Sequence, residues 1–291
     1  MALLYAAALG NAPIFTGVAY ANGSNVFAMT FLRFGLAAIA MWLILILWHT
    51  DFRVTKRELI ALVILGIGGY WLEGFLYMKA VETLTPGVLL LVFYLHPVMI
   101  VLIDYIVFRI RLTAAKGVAI GLAMIGLLCV VGLDFKQIDF KGVIYIFLAA
   151  VAFAFYTIGC NLYASHLDDR VTMTYIATSA AFAALLTGIL GGGLVPGLMT
   201  MNLTAWGGAF GVSMISTIAG MLCFYKALRL IGPSSATIIG MVEVIIGAVM
   251  GAIVFGDRIT VHQVIGACFI AASVVCLQRR DRDKSFPLDL Q

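Results

Sequence analysis

Residues 79–113, KAVETLTPGVLLLVFYLHPVMIVLIDYIVFRIRLT, and residues 226–260, KALRLIGPSSATIIGMVEVIIGAVMGAIVFGDRIT, decide the fold because they align without a gap, 147 positions apart. The two stretches are identical at eight of thirty-five positions, and one identity pairs Pro86 with Pro233. Polar and proline identities are harder to obtain by chance in apolar segments than leucine or valine identities. Self-similarity at a fixed period predicts a structural repeat.

The composition predicts that the chain lies in a lipid bilayer. Apolar residues make up 63% of the 291 positions and charged residues only 11%, whereas a soluble domain carries about 25% charge. The mean hydropathy is +1.10. Apolar runs of about 20 residues, the length of a membrane-spanning helix, recur along the whole sequence. No segment is polar and long enough for a soluble domain.

Ten membrane-spanning helices are expected, and no strands, because the apolar runs are too long and uniform for the alternating segments of a membrane barrel. The first run is expected to be a retained helix because no positive segment of a signal peptide precedes it. The predicted helices cover residues 2–20, 26–48, 59–80, 86–108, 114–133, 142–164, 172–193, 204–228, 234–256 and 261–278.

Lysines and arginines predict the orientation of these helices. With the N-terminus in the cytoplasm, thirteen of them fall on the cytoplasmic side and four on the other, as the positive-inside rule requires. Both termini are therefore expected inside. An odd number of helices per repeat then inverts the second copy. We expect a first repeat at 1–133, a second at 142–278 and a cytoplasmic tail at 279–291.

Inverted repeats are a transporter architecture with the substrate site near the bilayer midplane. The stretch from Glu243 through residues 255–260 to Gly266 also resembles the second-repeat signature of the EamA group of the drug/metabolite transporter (DMT) superfamily, and Arg33 with Phe34 is similar to another of its recurring features. The resemblance covers nearly the whole chain. It implies ten helices, cytoplasmic termini and a central cavity, and it is nearest in character to the YddG-like amino-acid exporters. The family often has Glu-Pro where this chain has Glu243 and Val244, which leaves a kink in helix 9 open.

Five ionisable residues lie inside predicted helices: Arg33, Glu73, His96, Asp104 and Glu243. A charge at the bilayer centre costs about 2.5–3.5 kcal/mol on insertion scales, so each needs a partner or a wet cavity. His96 and Glu243 occupy equivalent repeat positions, both about 14–15 Å deep at 1.5 Å per residue. They are expected to meet as a substrate-orienting or proton-responsive pair, or else as a hydrogen bond that only joins the repeats. Arg33 and Glu73 are predicted to form a structural ion pair, and Asp104 an interfacial anchor.

Polar and aromatic residues spaced three or four apart share a helix face and predict the cavity wall; ordinary packing is the alternative for each. The predicted substrate-binding residues are Asn11, Tyr70, Glu73, Tyr77, His96, Tyr156, Ser213, Ser216 and Glu243.

The favoured function is secondary transport of small metabolites, with amino-acid export implied by the resemblance, in the inner (plasma) membrane. The sequence contains no GxxxxGK[ST], HExxH or GxSxG and no cysteine–histidine metal spacing, so no catalytic residue, cofactor, metal or nucleic-acid partner is predicted. The expected partners are the lipid bilayer and a small-molecule substrate, and proton coupling stays open. The alternative is a membrane-embedded enzyme or a channel that uses the Glu243 and His96 pair.

Overall fold

The computed structural model describes residues 1–81, 83–84, 86–109, 113–131, 139–255 and 260–284. Outside these ranges lie the signature residues 256–259, the tail residues 285–291, and Arg111 and Lys136, two of the loop cations that predict the orientation. Helices and turns make up the described part, which contains no strand. The all-helical expectation is therefore confirmed there.

Fifteen α-helices and two π-helical segments follow one another along the described chain. The α-helices are α1 (Ala2–Gly10), α2 (Ala12–Ala21), α3 (Val26–Leu47), α4 (Lys56–Ile64), α5 (Leu72–Val81), α6 (Pro86–Phe93), α7 (His96–Ile106), α8 (Ala114–Val131), α9 (Phe140–Tyr163), α10 (Asp169–Leu190), α11 (Leu194–Thr200), α12 (Leu203–Gly211), α13 (Gly220–Gly240), α14 (Val242–Phe255) and α15 (Val261–Lys284). The π-helical segments are π1 (Leu65–Trp71) and π2 (Val212–Ala219).

Seven helical stretches of the described residues are long and apolar enough to cross a bilayer. They are Ala2–Ala21, Val26–Leu47, Lys56–Val81, Val88–Ile106, Phe140–Tyr163, Asp169–Leu190 and Leu203–Gly240. Shorter apolar helices occupy Ala114–Val130, Val242–Val254 and Val261–Cys276. The chain is thus a multi-pass membrane protein, and the count of ten spans stays a prediction.

Polar residues of the short loops begin the next helix by capping it. Asn25 accepts from Ala28 N at 2.9 Å, Asn202 accepts from Ala205 N at 3.0 Å, and Thr55 forms a reciprocal capping box with Glu58. Such side chains satisfy backbone N–H groups that have no partner within the helix. Because Thr55 is the cap, α4 begins three residues before the predicted start at 59. Similarly, α15 continues to Lys284, six residues beyond the predicted end.

Three predicted helices are interrupted, and proline explains two of the breaks. Proline lacks the N–H that would bond to the carbonyl four residues earlier. Pro13 follows the break at Asn11 between α1 and α2, and Pro97 follows the break between α6 and α7. The third break separates α13 from α14 at Met241, where no proline occurs. Helix 9 is therefore interrupted although Val244 replaces the family's proline.

The boundary between predicted helices 8 and 9 lies inside α13, at Gly232. Its backbone has φ 76° and ψ 166°, which is outside the helical region. Only glycine adopts such positive φ values without steric cost. Pro233 comes next and begins the following helical turn, as its missing N–H permits.

The helices pack in pairs that join the two halves of the chain. α3 packs along α10, α8 along α15, α9 against π1 and α5, and α1 against π2, α13 and α14. The contact between α8 and α15 is so close that a Cβ at Gly126 would lie 2.6 Å from the carbonyl oxygen of Gly266. The helices that carry the candidate residues therefore meet in the middle of the bundle.

The bundle has two ends that are identified by loop contacts. At the first, which we call the Asn22 end, Asn202 Nδ2 donates to Asn22 Oδ1 at 2.9 Å and Thr200 Oγ1 donates to Gly23 O at 2.6 Å. At the other, the Asp168 end, the Arg170 guanidinium lies 5.6 Å from the Trp48 ring. Because α3 connects residue 26 to residue 47, these ends lie on opposite sides of the bundle.

Candidate functional site: a charged aromatic layer

A layer of aromatic rings from both halves of the chain occupies the middle of the bundle. Tyr70 stacks on Tyr156 with ring centres 5.2 Å apart, and Tyr5 lies 4.7 Å from Phe224. Tyr70 and Tyr156 are almost completely buried. The layer consists of Tyr5, Phe34, Tyr70, Tyr77, Phe93, Tyr94, His96, Phe153, Tyr156, Phe224 and Tyr225. Tyr70, Tyr77, His96 and Tyr156 were predicted for the site and lie together here.

The two π-helical segments position side chains at this layer. π1 carries Tyr70, and π2 carries Ser213, Ser216 and Thr217. A π-helical segment inserts one extra residue per turn, which changes the direction of the neighbouring side chains, and such segments are frequent at functional sites. Sequence periodicity does not reveal them, because both segments are as apolar as the helices around them.

Asn11, Ser213 and Ser216 make hydrogen bonds to backbone carbonyls. Asn11 Nδ2 donates to Ala7 O at 2.7 Å, across the break in the first span. Ser213 Oγ donates to Leu32 O at 3.1 Å, and Ser216 Oγ donates to Ala8 O at 2.8 Å. These donors are engaged in joining and completing helices. Their contribution to a substrate site stays a prediction.

Arg33 lies beside the layer without the ion pair predicted for it. Its Nε donates to Thr217 Oγ1 at 3.2 Å, and its guanidinium carbon lies 5.3 Å and 5.7 Å from the ring centres of Phe34 and Tyr70. The ion pairs found within the described ranges do not include Arg33 with Glu73. The two charges interact only at longer range. The sequence could not give the direction of either side chain, and the depth of both residues in the bilayer stays a prediction.

Two carboxylates lie in the same region. Glu73, which is 8% exposed, makes no hydrogen bond to any described residue. Glu243 accepts a short hydrogen bond from the Tyr94 hydroxyl through Oε1, while its buried Oε2 has no partner in the described chain. The charges of Glu73 and Glu243 are close enough to interact. A buried carboxylate oxygen without a hydrogen-bond donor is costly. A ligand with N–H donors would therefore stabilise the carboxylates of Glu73 and Glu243.

His96 does not contact Glu243 directly. Its Nδ1 lies 2.9 Å from Phe93 O, which is the carbonyl that Pro97 leaves without a backbone donor. The ring therefore completes the helix break, and a carbonyl can only accept, so Nδ1 carries the proton. Tyr94, whose ring lies 5.6 Å from His96, takes the place predicted for His96 beside Glu243. In the sequence, the one signal for Tyr94 is that it lies two residues before His96.

Two further polar contacts were missed. The hydroxyls of Tyr156 and Tyr225 share a short hydrogen bond, and Tyr225 also lies near Met173. Asp104, expected as an interfacial anchor, is 6% exposed and accepts a short hydrogen bond from Ser234. Neither partner can be identified from the sequence because both contacts join distant segments.

A shallow pocket lies on each side of the aromatic layer. The pocket towards the Asn22 end is lined by Thr16, Met29, Thr30, Arg33, Phe34, Gly74 and Met78. The pocket towards the Asp168 end is lined by Cys160, Asn161, Ala164, Ser165, Asp169, Thr172, Tyr225, Leu228 and Arg229. Arg229 bridges α13 and α10 there through a short ion pair with Asp169. Within the residues described, no cluster suits a metal ion.

Comparisons with known proteins agree with this architecture. A solved crystal structure superposes with a TM-score of 0.78 over 98% of this chain and 97% of the other, at 14% identity, and so shows a shared fold. An uncharacterized transporter of Archaeoglobus fulgidus is 22% identical over 260 residues, which is 88% of each protein. The EamA-like transporter family model matches residues 1–132 and 140–278. The chain therefore belongs to the EamA-like transporter family.

Proposed function

We propose that the protein is a secondary transporter that exports amino acids by alternating access, from a site in the charged aromatic layer. It would cross the inner (plasma) membrane ten times as two inverted five-helix repeats, with both termini in the cytoplasm. The single observation that carries this proposal is the layer itself. Buried charges and aromatic rings separate two shallow pockets at opposite ends, as an occluded central site requires.

The repeat proposal is supported by features that recur 147 positions apart. π1 begins at Leu65 and π2 at Val212, and the break at Tyr94 recurs at Met241. A Cβ at Gly66 would lie 1.8 Å from Ser179 Oγ, and the equivalent position, Ser213, contacts Leu32, the counterpart of Ser179. Local geometry and tertiary contact thus repeat together. The pairing of α3 with α10 and α8 with α15 fits a two-fold axis in the membrane plane.

The Lys and Arg distribution supports cytoplasmic termini and puts the Asn22 end outside. The predicted outer loop contains residues 22–25, and the predicted inner loop contains residues 165–170. These loops are at opposite ends of the bundle. An amino-acid substrate is supported by the presence of one guanidinium and two carboxylates beside aromatic rings. The direction of transport, export, is proposed from the sequence resemblance to amino-acid exporters alone.

No observation favours the enzyme alternative. It needed Glu243 and His96 to act together on one bond, but Tyr94 holds Glu243 and the Phe93 carbonyl holds the His96 ring. A channel would conduct without saturation. Saturation of the flux with rising substrate concentration therefore distinguishes the transporter from a channel.

Transport is tested in sealed proteoliposomes loaded with a panel of labelled amino acids, with empty liposomes and detergent-permeabilised vesicles as controls. We expect saturable efflux that disappears when the vesicles are made leaky. Glu243→Gln should lower its rate at least tenfold, because the amide loses the charge that attracts an ammonium. Repeating the assay with and without a pH gradient separates proton coupling from facilitated diffusion. If no amino acid moves faster than in empty liposomes, the amino-acid proposal is wrong.

A further inference from the structure

The guanidinium of Arg33 makes fewer hydrogen bonds within the protein than its five N–H donors allow. Its Nε donates to Thr217, and its guanidinium also interacts with the Tyr70 hydroxyl. No carboxylate of the described chain forms an ion pair with it. Arg33 lines the pocket towards the Asn22 end, so its remaining N–H donors can reach a ligand there.

The position of Arg33 makes the lack of an ion-pair partner unexpected. It lies seven residues into α3, about 10 Å from the helix start at 1.5 Å per residue. A cation at such depth is costly unless it faces a partner or a cavity. The rings of Phe34 and Tyr70 lie 5.3 Å and 5.7 Å from the guanidinium carbon, at cation–π distance, and restrict its movement.

The pocket suits an anion with an apolar body. Apart from Arg33 it contains no charged residue, and two threonines supply its other polar side chains. An arginine fork matches a carboxylate with two parallel hydrogen bonds. Met29, Met78 and Phe34 provide apolar wall. A phosphate would leave its second charge without a cation here, so a monocarboxylate fits better.

We propose that Arg33 binds the carboxylate of the transported substrate in the pocket towards the Asn22 end, so that the substrate class is a zwitterionic amino acid with an apolar side chain. This inference rests on the proposed function and names Arg33 as the residue that recognises the carboxylate of the substrate. Arg33 would then determine which substrates bind, and would not serve as half of the structural ion pair with Glu73 that the sequence predicted. Glu73, which interacts electrostatically with Arg33, balances its charge when no substrate is bound and attracts the substrate ammonium when one is bound.

Binding is tested with three probes that share one side chain: L-phenylalanine, L-phenylalanine amide and 3-phenylpropionate. Thermal unfolding of the purified protein in detergent reports binding without transport. We expect L-phenylalanine to raise the melting temperature most, 3-phenylpropionate to raise it at higher concentration, and the amide to have no effect. Arg33→Gln and Arg33→Lys should weaken L-phenylalanine binding about 10- to 100-fold, because a charge-assisted bidentate pair is lost.

Arg170→Gln is the matched control, since Arg170 lies at the opposite end and pairs with Asp168. It should bind L-phenylalanine as the wild type does. The same probes in proteoliposome counterflow separate the two proposals. Carboxylate-dependent stabilisation without flux would support the Arg33 site and contradict transport. Flux of the amide equal to that of the amino acid, or wild-type binding by Arg33→Gln, would overturn the Arg33 site alone. If neither carboxylate stabilises the wild type more than Arg33→Gln, the Arg33 proposal is also overturned.

Discussion

At the scale of single residues, the contact between Tyr94 and Glu243 gives the sharpest expectation. Tyr94→Phe removes the one donor to a carboxylate whose other oxygen is already unpaired. The unfolding free energy should fall by about 1–3 kcal/mol. In a Glu243→Gln background the same change should cost less, because the charge is gone. Chemical denaturation in detergent measures both. Tyr163→Phe, at an exposed position, is the control, and equal costs in the two backgrounds would contradict the contact.

His96 provides a second prediction at this scale. Its Nδ1 satisfies the Phe93 carbonyl that Pro97 leaves free. His96→Phe keeps a ring in the aromatic layer but loses this donor, so it should cost about 1–3 kcal/mol of unfolding free energy. Pro97→Ala supplies a backbone N–H to the same carbonyl. In the Pro97→Ala background, His96→Phe should lower the unfolding free energy only slightly. An equal loss in both backgrounds would show that His96 stabilises the protein through ring packing and not through this hydrogen bond.

The sequence could identify which buried residues need an explanation but not their partners. Arg33, Glu73, His96 and Glu243 were found because a charge or imidazole in an apolar helix is costly. Thr217 and Tyr94, which hold two of them, carry no such signal. Their roles depend on how distant helices rotate against each other, and helical periodicity does not determine this.

At the scale of helices, the sequence located helix ends and breaks well where prolines, glycines and caps mark them. The backbone leaves helical geometry at Gly232, before Pro233, where the sequence predicted a boundary, and Asn25 caps the start of α3. The π-helical segments and the break at Met241 could not be predicted, because they lie in uniformly apolar sequence. Gly66 and Gly69 of π1 pack closely against α10 and α9.

Two glycines of π1 test that packing. A Cβ at Gly66 would lie 1.8 Å from Ser179 Oγ and 2.8 Å from Ile176 O on α10, whereas a Cβ at Gly68 would meet nothing within 4 Å. Gly66→Ala should therefore cost about 1–3 kcal/mol, as overpacking does, and Gly68→Ala should be neutral. Melting temperatures of the two purified variants provide the comparison. Equal melting temperatures would mean that π1 does not approach α10 so closely.

At the scale of the whole molecule, the ion pair of Arg229 with Asp169 joins α13 to α10 over the pocket that Cys160 lines. If it holds the Asp168 end closed, Asp169→Asn should shift the population towards the open state. An exposed pair contributes at most about 1 kcal/mol, so labelling of Cys160 by maleimide should rise no more than about fivefold. The experiment uses a chain in which Cys160 is the single cysteine.

Asp168→Asn is the control for this change, because Asp168 pairs with Arg170 two residues away on the same helix. It should leave the labelling rate of Cys160 unchanged. An Asp169→Asn rate no higher than that of Asp168→Asn would mean that the ion pair plays no part in closing this end.

The account depends most on the inverted relation of the two halves, and one labelling measurement tests it directly. Ala21 and Asp168 are exposed and lie 147 positions apart, so they are equivalent in the two repeats. Each is replaced by cysteine in a cysteine-free chain, and intact cells are treated with a membrane-impermeant maleimide. The account predicts that Ala21→Cys reacts from outside, whereas Asp168→Cys reacts only after the membrane is permeabilised. Reaction of both from the same side would contradict the inverted repeat and the transport mechanism built on it.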